Sequence, residues 1–146
     1  MSKSNSWETD LLNHLFTNTA VLLVGDAAGL LPSATAGDLY VSLHSADPTE
    51  AGDQSSNEAT FTGYARIPVL RSAAQWTVSG NSVKNTNAVT FTACSGGSTT
   101  VTHFGIGTDA SGTGKLLYSG AVTPSVAVTT GITAIIPALG AEITED

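Results

Sequence analysis

The chain has one cysteine, Cys94, among its 146 residues. An intramolecular disulfide is therefore excluded, and Cys94 reads as a small buried residue at a strand end. It has few charges: 12% of residues, about half the usual share. Its five basic residues (Lys3, Arg66, Arg71, Lys84, Lys115) are scattered singly. A nucleic-acid binder needs a basic patch or stripe, so no nucleic-acid partner is expected. It also lacks a long hydrophobic run. The longest, over 20–31, is broken by Gly25, Asp26 and Gly29, too short and interrupted to span a membrane. The stretch from Trp7 to Phe16 is interrupted by Glu8, Asp10, Asn13 and His14 and does not read as a signal peptide. Nine aromatics leave little material for an exposed aromatic binding platform.

What is present is Ser, Thr, Gly and Ala in quantity, a net charge of -7 and a pI of about 4.6. That balance suits a β-rich, turn-rich protein with an acidic, self-repelling exterior. The length fits one core. One helix is predicted. Ser6 is a candidate N-cap, Glu8 and Asp10 favour the helix N-terminus, and Trp7, Leu11, Leu12, Leu15 and Phe16 recur at helical spacing. Thr17-Asn18-Thr19 stops it. The segment 20–24 is apolar, and periodicity does not decide between strand and helix.

Beyond it, short strands alternate with turns. Leu39, Val41 and Leu43 alternate with Tyr40, Ser42 and His44. Pro68 assigns the strand around Ile67 and Val69 to a sheet edge or a bulge. Ser79-Gly80-Asn81 turns a hairpin over 76–83. Further strands are expected at 89–91, 100–106, 115–119, 124–128, 132–136 and 141–144. Over 100–106, Val101, His103 and Gly105 fall on one face and Thr102, Phe104 and Ile106 on the other. The expected fold is mainly β: an antiparallel β-sandwich or jelly roll with one N-terminal amphipathic helix. A polar tail and helix over 1–19 would precede a single β-domain over 20–146. No α-β alternation suggests a nucleotide-binding sheet.

Catalytic signatures are missing. His14, His44 and His103 stand in separate elements without HxH or HExxH spacing; a zinc site would need His44, His103 and Asp47 gathered by folding. The simpler reading makes His44 a polar strand end and His103 a hydrogen-bonded, partly buried imidazole. The longest polar loop, between strands at 39–44 and 67–70, carries Asp47, Glu50, Asp53 and Glu58 and no base. Their steps of three, three and five do not match a calcium loop, and they read as an exposed acidic loop surface. A distant carboxylate pair for glycoside hydrolysis is left open by sequence alone. Gly105-Ile-Gly107 is not a dinucleotide fingerprint and reads as part of a hairpin turn; no GxSxG elbow is present. No cofactor and no metal are expected.

The runs LYVSLHSADPTEAG (39–52), GYAR (63–66), VTHFGIGTDASGTGKLLYSGAV (101–122) and the closing EITED resemble a family of small tailed-bacteriophage virion structural proteins, described as tail-fibre-like or capsid-decoration proteins. The similarity covers nearly the whole chain. It implies a non-enzymatic component of the virion, assembled in the host bacterial cytoplasm. With the acidic composition, the leading expectation is a capsid decoration (cement) protein stabilising the head. The alternative is a tail-fibre or baseplate-associated protein contacting the host receptor. From another class comes a carbohydrate-binding or hydrolytic β-sandwich. Expected partners are the major capsid protein or tail and baseplate proteins, and further copies of the chain in a homo-oligomer, with no membrane partner. Candidate subunit-interface residues are Trp7, Leu11, Leu15 and Phe16. Trp7 is the favoured anchor, because tryptophan recurs at interface hot spots.

Overall fold

The computed structural model describes residues 2–146. It is mainly β, with antiparallel sheets and one N-terminal helix. Helix α1 spans Asn5–Thr17. Its N-cap is Ser4, not Ser6: the Ser4 hydroxyl accepts from Trp7 N at 3.4 Å. The apolar stripe begins only at Trp7, so it does not distinguish two serines that are both able to cap. The stop falls where expected, at Asn18, which turns left-handed with φ 54°. Leu12 and Phe16, one turn apart, are completely buried. The Phe16 ring meets Trp76 edge-on, with centroids 4.8 Å apart. The helix therefore packs on its own sheets.

The strands are β1 (Asp38–His44), β2 (Ile67–Leu70), β3 (Trp76–Ser79), β4 (Ser82–Asn85), β5 (Val89–Thr90), β6 (Ser98–Gly107), β7 (Leu116–Thr129), β8 (Ile135–Ile136) and β9 (Glu142–Thr144). They form a four-stranded sheet β2-β1-β6-β7, a three-stranded sheet β3-β4-β9 and a pair β5-β8. β2 lies at a sheet edge, as Pro68 requires, since proline has no N–H for a second neighbour. The β3–β4 hairpin closes with Ser79 opposite Ser82. Side chains from α1 and all three sheets join one apolar cluster, among them Leu12, Phe16, Val41, Trp76, Val83, Ile106, Val128 and Ile136.

Three strand expectations are corrected. The segments at 115–119 and 124–128 are one strand, β7. Its pairing with β6 shifts between Val101 and His103, whose partners are Val126 and Ala121. The extra residues at this irregularity lie in β7, five steps against two in β6. Of the run 132–136, only Ile135–Ile136 is strand. The apolar segment 20–24 is neither strand nor helix. A lone bridge from Val21 to Leu30 closes a loop there.

The helix contact yields a prediction. Leu12→Ala removes a side chain with no exposed surface. It should destabilise the chain by about 2–5 kcal/mol in urea unfolding. A loss below about 1 kcal/mol would contradict a helix integral to the core.

Candidate functional site

The loop between β1 and β2 is braced from below by buried polar side chains. Gln54 has no exposed surface. Its Oε1 accepts from Asp109 N at 2.9 Å, its Nε2 donates to Tyr40 O at 3.4 Å, and its backbone N donates to Thr113 O at 2.9 Å. Room for it comes from two glycines. A Cβ on Gly107 would stand 2.1 Å from Gln54 Cδ, and one on Gly114 would stand 2.2 Å from Gln54 Oε1. Gly105 and Gly107 are therefore strand residues that admit neighbouring side chains, not part of a hairpin turn.

Arg66 is the second brace. Its Nε donates to Glu58 Oε1 at 2.7 Å and one terminal nitrogen to Glu58 Oε2 at 2.8 Å. The same guanidinium donates to Asp109 O at 2.9 Å and Gly112 O at 2.6 Å. It thus ties the acidic loop to the 108–114 turn between β6 and β7. The Glu58 carboxylate bonded to it raises the guanidinium pKa further. Tyr64 Oη donates to the same carboxylate at 2.8 Å and accepts from Leu43 N at 3.1 Å. Burial pushes the Tyr64 phenol upward, so it stays a donor.

The four loop acids separate by role. Asp47 and Glu50 are exposed and Asp53 is half-buried. Asp47 Oδ1 accepts from Thr49 N at 2.8 Å, and Asp53 Oδ1 from Ser55 N at 2.8 Å and Ser55 Oγ at 2.7 Å. These are local turns built by acceptor side chains. The Ser55 hydroxyl and N–H hold the Asp53 carboxyl below its ordinary range. Glu58 departs from the expectation of a solvated loop acid. It turns inward because Arg66, twenty-two residues after β1 ends, is folded back over it. Together with Leu116, Leu117, Tyr118 and Ser119 of β7, residues Asp47, Thr49, Glu50 and Gly52 line an open groove of about 460 Å³.

His44 is no polar strand end but is fully buried, as is Ser42. Its Nδ1 lies 2.8 Å from Ser56 O, which can only accept, so Nδ1 carries the proton. Nε2 then accepts from Ser42 Oγ at 2.8 Å. This has the composition of a nucleophile–base pair, yet both members are sealed from solvent, and the His44 Nδ1 bond to Ser56 O ties β1 to the loop. Gly105, opposite Ser42, makes it possible: a Cβ there would lie 2.6 Å from both Ser42 Oγ and His44 Nε2. His103 is half-buried opposite His44, its Nδ1 2.9 Å from Thr102 Oγ1. Among the described residues, no three His, Cys, Asp or Glu side chains are grouped to hold a metal ion.

Of the interface candidates, Phe16 sits inside the chain's own core, while Trp7, Leu11 and Leu15 are half-buried. None of the nine aromatics is exposed. The largest exposed apolar side chains lie elsewhere: Leu23, Leu31 and Leu22 of the 21–30 loop and its flank are 80%, 68% and 64% exposed. Sequence reasoning missed Gln54, Tyr64 and Arg66 as braces. The signal available was glycine at alternate positions of a strand, 105 and 107, which marks close approach by something bulky.

Two outcomes follow. Arg66→Ala leaves Glu58, Asp109 O and Gly112 O without their donor; it should cost about 2–4 kcal/mol in urea unfolding. Limited proteolysis should then cut within 45–66 before the rest of the chain, and wild-type-like resistance would refute the brace. Burial holds the His44 imidazole below the ordinary histidine value. The unfolded chain takes up a proton near pH 6.5 that the folded chain resists, so this contribution is intact above about pH 6.5 and lost as pH falls toward the folded value. Melting temperature should drop between about pH 6.5 and pH 5.5, and His44→Gln should flatten that drop while melting lower at neutral pH.

No curated protein matches the sequence. The family model described as podophage GP4 fiber I protein gp80 matches residues 2–144, nearly the full length, including the braced loop, the glycine-bearing β6 and the edge strand β7. The chain belongs to the podophage GP4 fiber I protein gp80 family.

Proposed function

We propose that this chain is a non-enzymatic structural component of a bacteriophage virion, carried on the tail as part of a fibre, with its braced acidic loop turned outward. The observation that carries this reading is the full-length match to a family described as a fibre protein. That description supports a place on the tail rather than the head-decoration role that was the leading expectation. The architecture supports a structural role. The Ser42–His44 pair is buried and holds a loop to a strand. No aromatic side chain is exposed to stack on a sugar ring. Buried polar side chains are instead committed to fixing loop shape, which suits a surface that meets another macromolecule without rearranging.

Under this reading the 45–66 loop and its groove with β7 are the contact surface for a receptor or a neighbouring tail protein. A rigid loop keeps the ordering cost of binding low. Its acids favour a partner surface carrying the opposite charge.

The deciding measurement is copy number in purified virions by quantitative mass spectrometry against the major capsid protein, with immunogold labelling of particles. A ratio far below one per capsid subunit, with label at the tail, is the expected result. A ratio near one per subunit, with label over the head, would replace the fibre reading by decoration. Absence from the particle would overturn both.

A further inference from the structure

The 21–31 segment is built to hold apolar side chains away from the protein. Val21 and Leu30 exchange backbone hydrogen bonds at 3.0 and 2.8 Å and close the loop. Asp26 Oδ1 accepts from Ala28 N at 2.8 Å and Gly29 N at 2.9 Å, which fixes its tip. Gly29 is required there, because a Cβ would stand 1.9 Å from Val21 O. Leu23 adopts φ 66°, a conformation that bulky residues avoid, and is the most exposed of the large apolar residues. Around it, Leu22, Val24, Leu30 and Leu31 are 64%, 41%, 42% and 68% exposed. Together they present on the order of a few hundred Å² of apolar surface, the scale at which a patch marks an interaction site.

The same chain carries a matching surface. A groove of about 580 Å³ runs beside the loop's base, lined by Leu15, Leu117, Ala36, His14, Arg71 and Lys115 among others. Its electrostatics are unusual for a chain of net charge -7. Three of the five basic side chains are paired within the chain: Lys3 with Glu145, Arg66 with Glu58 and Lys84 with Glu142. The other two, Arg71 and Lys115, form no ion pair among the described residues, and both line this groove. Arg71 donates to the carbonyls of Leu15, His14 and Ala36, so its charge is positioned but not neutralised. One acid, Asp38, also lines the groove. The loop offers the complement, leucines around a single charge, Asp26, with no basic residue between positions 21 and 37.

We propose that the 21–31 loop of one copy docks into the Leu15–Arg71–Lys115 groove of a second copy of this chain, seating Leu22 and Leu23 against its apolar walls and Asp26 beside its two unpaired cations. Loop and groove adjoin on each protomer, because Asn18 at the end of α1 bonds both backbone groups of Ser33 at 2.9 Å. A two-fold pair would therefore form the contact reciprocally. A lipid surface fits less well, since the tip is acidic and has no cation for anionic headgroups. The inference does not depend on where the protein sits on the particle.

The test is sedimentation of the full chain over a concentration series, for wild type, Leu22→Ser/Leu23→Asn and Lys115→Glu. Asn tolerates the left-handed conformation of position 23, and all three substituted side chains are exposed. Unchanged melting temperatures establish that the variants fold. Wild type should self-associate, and each variant should weaken association by more than about tenfold. A mixture of the two variants should recover a heterodimer, because an intact loop still meets an intact groove. A monomeric wild type, or association unaffected in the loop variant, would overturn the proposal. So would anionic vesicles that bind wild type through the loop while it stays monomeric.

Discussion

The long connection between β1 and β2, and the β6–β7 turn beside it, depend on one guanidinium. The connection from β1 to β2 is a long loop lying over the end of the four-stranded sheet. Its backbone donors and acceptors have no ladder to join, and buried ones must still be paired. Arg66 fixes the loop to its neighbour, with two bonds to the Glu58 side-chain carboxylate and one each to the carbonyls of Asp109 and Gly112 in the β6–β7 turn. Arginine suits the task because its planar fork presents several donors at fixed angles. A lysine would satisfy one acceptor well and leave the others. Gln54, His44 and Tyr64 extend the bracing inward, each spanning segments distant in sequence.

The glycines of β6 are the other half of that bracing. A strand interior ordinarily loses stability from glycine. Here Gly105 and Gly107 trade that loss for space, one for the Ser42–His44 pair and one for the Gln54 side chain. Loop shape is thereby transmitted to the sheet by packing as well as by hydrogen bonds. Asn85 repeats the device at the other side of the molecule. Its Nδ2 donates to Asn87 O and Pro137 O, both at 2.8 Å, and its Oδ1 accepts from Ala141 N at 2.8 Å. One side chain thus adds to the β4–β9 ladder in fastening the C-terminal segment.

The sequence made local decisions legible and non-local ones opaque. β1, the hairpin at Ser79–Ser82, the helix stop at Asn18 and the edge position of Pro68 each follow from a few adjacent residues. The joining of the 115–119 and 124–128 segments into one bulged strand does not, because it depends on how β7 registers against β6. Glu58 turns inward only because Arg66 is folded back over it, which composition of the loop cannot reveal. The glycines at 105 and 107 carried a usable signal, but a Gly-x-Gly run followed by Thr-Asp-Ala-Ser-Gly favours a turn reading when partners are unknown. For the 20–24 segment periodicity decides neither strand nor helix, and it is neither: a bulky residue at positive φ and an Asx turn hold Leu22, Leu23 and Val24 outward.

That exposure bears on assembly. Polar side chains are spent inside, where they fix loops, while leucines are held outside on a loop closed by one bridge. A monomer gains nothing from exposing Leu23, whose backbone conformation is itself unfavourable for a large side chain. The arrangement becomes favourable when something covers it. Copies of a chain with net charge -7 repel one another at long range, yet that repulsion decays over about 8 Å at physiological salt. At contact distance the balance changes. Apolar area is removed from water, and the two cations without internal partners, Arg71 and Lys115, are the charges that an acidic approaching surface would meet first. In the proposed pairing, net charge would oppose random association, while the local pattern of charge and leucine would select one docking geometry.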